Sequence, residues 1–175
     1  MKNAENQKCS ESKIQEYLSQ ISKGNEKALQ RLYHATAHPL FLFAMSYVQN
    51  KETAEDIVQD TFIKIISNID QYQEQGHAKV WIFTVAKNLC KNHLTRSKNL
   101  PEITEIGKEI DYSVVELSEA LSILSDVERQ VIRFHVFAGL NLKEIAQLLT
   151  LPLGKIRYAK RSATKKLKHY YLEKK

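Results

Sequence analysis

Cysteine is nearly absent from this chain of 175 residues: Cys9 and Cys90 stand far apart and form no CxxC. That excludes a disulfide framework and a cysteine-rich zinc site, and it fits a reducing compartment. Breakers are scarce too. With five glycines and three prolines, and apolar residues recurring at three and four, the chain reads as mostly helix. The longest apolar run, Pro39 to Val48, is about ten residues against the roughly twenty needed to span a bilayer. It is expected to be a core helix. The opening MKNAENQKCSESK lacks the apolar core of a signal peptide, so a cytoplasmic protein is expected. Catalytic signatures are missing as well: there is no GxSxG, P-loop or GxGxxG. His34 and His38 have the i, i+4 spacing of a metal pair, but no HExxH or third ligand follows, so neither a metal nor a cofactor is expected. No carboxylate or histidine cluster suits a nuclease. The chain does not read as an enzyme.

What is present is charge in zones. The composition, 43% apolar and 26% charged, is that of an ordinary folded protein. Its net charge of +6 is local, however: residues 155–175 hold nine Lys or Arg against Glu173 alone, while the remaining 154 residues sum to −2. A second basic zone runs from Gly76 to Pro101, where Lys79, Lys87, Lys91, Arg96 and Lys98 meet no acid. Between the two, Glu102 to Glu128 carries eight acids against Lys108. That stretch repels phosphate. Its beginning, Ser97 to Ser113, contains Pro101 and Gly107 and shows no helical period, so it is expected to be an acidic flexible linker. Extended, its 17 residues would reach roughly 55 to 60 Å. The expected architecture is all-α, with two small helical domains, 12–96 and 114–172, joined by the linker 97–113.

The first domain parses into five helices. Ser12 caps the first, Gly24 breaks it, and Asn25 opens NEKALQRLY. Pro39 opens a third. Thr53 with Asp56 resembles a capping box and begins AEDIVQDTFIKIISNI. On that fourth helix Ile57, Val58, Phe62, Ile65, Ile66 and Ile69 give an inward stripe, leaving Glu55, Asp56, Gln59, Asp60 and Lys64 outward. Solvation and the helix dipole alone would tolerate those acids. The fifth helix, about His77 to Arg96, mixes Trp81 and Phe83 with Lys87, Asn88, Lys91 and Asn92. Aromatics beside cations and amides suit an unpaired strand, whose bases stack and hydrogen-bond once exposed.

The second domain reads as a helix–turn–helix. Ser125 with Glu128 forms a capping box before DVERQVIRFHVFA, and Asn141 with Glu144 a looser one before LKEIAQLL. A turn at Thr150 to Gly154 then leads into a basic helix from Lys155 to Leu172. Leu124, Val127, Val131, Ile132, Val136, Leu140, Ile145, Leu148, Leu149 and Ile156 are the expected core. A cationic helix held by a preceding helix fits the major groove, where phosphates supply affinity and base edges supply choice.

GNEKALQRL, AEDIVQDTF, VWIFTVAKNLCKNHL and the stretch from Leu124 to Leu167 occur in the order and spacing of the extracytoplasmic-function (ECF) class of bacterial sigma factors. The chain resembles that class over nearly all of residues 14–171. The resemblance implies a factor that binds core RNA polymerase and directs initiation at promoters, of the kind serving stress or envelope responses. It places Glu55, Asp56, Gln59, Asp60 and Lys64 against a coiled coil of the largest polymerase subunit. It places Asn88 at a flipped base of the -10 element, with Trp81, Lys87, Lys91 and Asn92 near that strand. Lys155, Arg157, Tyr158, Ala159, Lys160 and Arg161 would read duplex -35 DNA. An anti-sigma factor, often membrane-bound, is also implied. The recognition helix departs from the usual GTVKSRLxRAR pattern, having GKIRYAKRSAT, which leaves its preferred -35 sequence open. The alternative reading is a stand-alone helix–turn–helix repressor or activator on duplex operator DNA. It gives no task to the acid-free helix or to the outward acids of AEDIVQDTF.

Overall fold

The computed structural model describes residues 10–72, 77–98 and 112–174. Every regular element among them is a helix. Four helices come from the first part of the chain: α1 (Glu11–Ile21), α2 (Glu26–Val48), α3 (Lys51–Ser67) and α4 (Ala78–Lys98), with a 3₁₀ turn at Ile69–Gln71. Four more follow: α5 (Tyr112–Ser122), α6 (Asp126–Ile132), α7 (Leu142–Leu149) and α8 (Leu153–Glu173). The five residues Arg133–Phe137 extend α6 as a π turn. Most of the expected linker, residues 99–111, lies outside the described residues. Of its flanks, 97–98 continue α4, and 112–113 open α5.

Caps set the boundaries, in several places not where the sequence pattern puts them. Ser10 rather than Ser12 caps α1, accepting from the Lys13 N–H. Asn50 rather than Thr53 caps α3: its Oδ1 accepts from the Thr53 N–H at 2.8 Å, leaving Thr53 in the first turn. Asn25 caps α2 as expected. Pro39 does not open a helix; it lies inside α2. An interior proline costs about 3 kcal/mol, yet Leu32, Thr36, Leu40 and Phe43 form one buried stripe across it. Burying Leu40 and Phe43 at about 1.5–3 kcal/mol each offsets that cost.

Both capping boxes of the second part are present. The Glu128 carboxylate accepts from the Ser125 N–H at 2.8 Å, and the Glu144 carboxylate from the Asn141 N–H at 2.7 Å. Arg129 then ties α5 to α6 by donating to the Leu121 and Leu124 carbonyls at 3.0 and 2.8 Å. α7 ends on Thr150, whose φ of 53° is left-handed. That reverses the chain within three residues, and α8 begins after Pro152. The start of α4 is held from a distance, since the Glu11 carboxylate accepts from the Lys79 N–H at 3.2 Å. Burial pushes that carboxyl above its ordinary range, against the hydrogen bonds from the Lys79 and Ala78 N–H groups.

The core joins both parts of the chain. A small cluster of Leu121, Leu124, Ile132 and Ala163 belongs to the second part alone. The larger one runs from Ile14, Leu32, Phe43, Ile65 and Ile82 through to Phe134, Leu140, Ile145 and Ile156. α2 packs on α1, α3 and α4, and also on α5 and the π turn. The expected core needs two corrections: Ile66 is 45% exposed and Val136 55% exposed. Each π turn spends more residues than an α turn, so inward positions shift, and Phe134 takes the buried place.

Candidate nucleic-acid interface

Three surfaces carry the residues singled out above. The first is the outer face of α3, where Glu55, Asp56, Gln59, Asp60 and Lys64 are all exposed. Ala54, Ile57, Val58, Thr61, Phe62 and Ile65 are buried on the opposite side, which fixes that orientation. Ile63 and Ile66 are exposed beside the acids, at 58% and 45%. The face is therefore acidic and apolar together, a mixture suited to docking protein. Periodicity alone turns Ile66 inward, whereas the structure leaves it at the surface beside Ile63.

The second surface is α4, packed against α3. Ile82, Phe83, Ala86 and Cys90 point into the core, and burial raises the Cys90 thiol to about 12. Asn88, Lys91 and Asn92 are exposed on the other side. Trp81 is half-buried, its ring 5.1 Å from that of Tyr72 at an interplanar angle of 41°. Lys87 is half-buried also, its Nζ 5.6 Å from the centre of the Phe134 ring. Burial and then the neighbouring Lys91 push its pKa down. Asp56, Asp60 and Lys64 of α3 line one groove with Asn92, His93 and Arg96 of α4. The expected polymerase face and the expected strand face thus share an edge.

The third surface is α8. Lys155, Arg157, Tyr158 and Arg161 are exposed, with Tyr158 at 74%, and Lys160 is half-buried. Ala159 is a correction: it is 4% exposed, packed inward with Ile156 and Ala163, and its side chain cannot reach a base. Periodicity could have shown this, because 156, 159 and 163 lie on one helical stripe. The cationic face continues through Lys165 and Lys168, which line a shallow surface with Arg157, Lys160, Arg161 and Thr164. α8 is set on α6 by one ion pair: Lys166 Nζ lies 2.7 Å from a Glu128 oxygen. Burial works to raise the Glu128 carboxyl, but hydrogen bonds from Lys166, Ser162 and Ser125 hold it at about 2.

Among the described residues no three His, Cys, Asp or Glu gather as they would around a metal ion. His34 and His38 are both exposed on α2. No described helix is long and apolar enough to cross a membrane.

Comparison with known proteins finds a match in each part of the chain. Sigma-70 region 2 matches residues 32–99, and Sigma-70, region 4 matches residues 120–169. The chain is 24% identical over 147 residues to the ECF RNA polymerase sigma factor SigC of Mycobacterium tuberculosis, covering 78% of this chain and 79% of that protein. The fold is similar to that of CnrH, solved in complex with the cytosolic domain of CnrY, with a TM-score of 0.75 at 19% identity over 93% of this chain and 99% of the other. It is similar as well to the sigma factor RpoE from Bartonella quintana, solved in complex with the anti-sigma factor NepR, with a TM-score of 0.63 at 21% identity over 82% and 96%. Two sigma-70 regions in order, on a shared helical fold, place this chain in the family of ECF RNA polymerase sigma factors.

Proposed function

We propose that this chain binds core RNA polymerase and directs initiation at a promoter of two elements, acting by position without chemistry of its own. The observation that carries the reading is the sequence of three unlike surfaces on one chain: acidic and apolar on α3, acid-free on α4, cationic on α8. Glu55, Asp56, Gln59, Asp60 and Lys64 would dock on polymerase. Asn88, Lys91 and Asn92, with Lys87 and Trp81 beside them, would hold a melted -10 strand by base contact and charge. Lys155, Arg157, Tyr158, Lys160 and Arg161 would hold duplex -35 DNA in the major groove. The functional units would be residues 12–96 and 114–172.

Such a factor works in the cytoplasm, where its polymerase is. Two solved structures of similar fold were obtained with bound partners, one named an anti-sigma factor. An anti-sigma partner covering these same faces is the regulation that fits. A stress or envelope response is the regulon that fits. The test is direct: the purified chain is mixed with core polymerase free of other sigma factors and given a genomic promoter library. Co-elution and specific transcripts are the expected result. Binding to duplex DNA as a dimer, with no affinity for polymerase, would replace this reading by that of a repressor.

A further inference from the structure

α8 carries one large side chain that neither packing nor charge accounts for. The rotation of this helix is fixed from its inner side, where Ile156, Ala159 and Ala163 are buried and Lys166 Nζ lies 2.7 Å from a Glu128 oxygen. At about 100° per residue, the strip opposite the buried one runs through Gly154, Tyr158, Arg161 and Lys165. Tyr158 stands on that strip at 74% exposure, the highest of any large apolar side chain among the described residues. One turn earlier the space is open, since a methyl group placed on Gly154 would meet nothing within 4 Å.

The side chains around Tyr158 are cations. Lys155, Arg157 and Arg161 are all exposed beside it, and such groups suit phosphates and the O6 and N7 acceptors of guanine. A tyrosine ring suits neither. The apolar group that a base pair shows in the major groove is the 5-methyl of thymine, and an uncharged side chain recognises it by contact. The position of the ring fits that task. α8 begins at Leu153, which puts residue 158 in its second turn, and the N-terminal part of a recognition helix is the part that meets base edges. Long helical side chains lean toward the start of their helix. Here that direction leads over Gly154, which has no side chain to hold the floor of the groove away from the ring. The usual GTVKSRLxRAR pattern has serine where this chain places Tyr158.

We propose that Tyr158 selects thymine at one position of the -35 element by covering its 5-methyl group, while the cations around it hold phosphate. The proposal rests on reading α8 as the -35 helix. It goes beyond that reading by naming the base and the group on it that is recognised. Burying one methyl group against the ring corresponds to about fourfold in affinity.

The test uses the full chain, with and without core polymerase, and the variants Tyr158→Phe and Tyr158→Ala. Because the side chain is exposed, neither variant disturbs the core. Selection from duplexes randomised across the -35 region gives the preferred bases. A synthetic duplex with uracil for the selected thymine then removes the methyl group and nothing else. The wild type is expected to select thymine at one position and to bind the thymine duplex about fourfold more tightly than the uracil duplex, read by fluorescence anisotropy. Tyr158→Phe should keep that ratio, and Tyr158→Ala should bring it to one while selecting the other positions as before. Equal affinity of the wild type for thymine and uracil would overturn the proposal, as would an unchanged ratio in Tyr158→Ala or selection of no thymine. Gel filtration with core polymerase separates the two readings. Thymine discrimination by a chain that forms no polymerase complex keeps the contact, makes its site an operator and removes the sigma function. A polymerase complex without discrimination removes the thymine contact alone, and selection of no duplex under either condition removes both it and the -35 reading.

Discussion

Replacing Glu128 by Gln should cost stability in a way that pH reports. Glu128 is 6% exposed and serves two ends at once, accepting from the Ser125 N–H at 2.8 Å to start α6 and from Lys166 Nζ at 2.7 Å to seat α8. Gln is itself a capping-box residue, so the substitution removes the charge and largely spares the cap. Holding the carboxyl at about 2, well below the ordinary carboxylate value of 4.5, corresponds to about 3 kcal/mol. Lys166 is 43% exposed, however, and solvent screening there reduces the expectation to about 1.5 kcal/mol. With a urea m-value of about 2–3 kcal/mol/M, the midpoint should fall by about 0.5–0.75 M at pH 7. The sign follows from the depressed pKa. The wild-type contribution is complete above the ordinary carboxylate range and is lost as pH falls from about 4.5 toward 2. The gap between wild type and Glu128→Gln should therefore close in that window. Urea melts of both proteins at pH 7, 4.5 and 3 measure it. A gap of zero at pH 7, or one that stays constant down to pH 3, would refute the argument.

Three further outcomes are expected. Asp60→Lys, on an exposed face of α3, should weaken core polymerase binding about tenfold, an effect typical of reversing an interface charge, with helicity unchanged; unaltered affinity in a pull-down titration would remove Asp60 from that contact. Asn88→Ala should leave polymerase binding intact and lower open-complex formation on a linear promoter by about tenfold, the loss of one buried base contact, and equal transcription would end that assignment. Cys90, fully buried with its thiol raised to about 12, should resist Ellman's reagent at pH 8 in a Cys9→Ser background until the protein is unfolded; prompt native labelling would contradict its packing.

The residues that sequence located well are those whose signal is local. Ser125, Asn141 and Asn25 cap helices through their own side chains, and their partners lie within three residues. Where two cappers compete, pattern is not enough: Asn50 won over Thr53 because its oxygen sits one residue before the helix proper. Pro39 misled because breaker chemistry is read one residue at a time, whereas the stripe through Leu32, Thr36, Leu40 and Phe43 stabilises α2 as a whole. The exposed acids of α3 and cations of α8 were legible since their apolar partners repeat on the other side. Ala159 was misplaced by following a motif instead of the stripe on which it lies. The contact of Arg133 and Phe134 with Tyr47, Ser46 and Phe43 left no mark in the sequence. It joins positions 87 residues apart, and neither partner carries a pattern that names the other.

Glu11 gives the first domain an anchor outside its recognisable signature. α4 has no acid in its own first turn, and the carboxylate that receives the Lys79 N–H belongs to a residue 68 positions earlier. The Sigma-70 region 2 match begins only at residue 32, beyond α1 altogether, and a domain start at residue 12 would leave Glu11 out by one position. A first-domain fragment cut at either place would contain every α4 residue expected to touch DNA yet expose the first N–H groups of that helix. A fragment carrying the first four helices is thus expected to be less stable when cut after Glu11 than when it begins at Ser10, whose side chain caps α1 and so sets Glu11 in place.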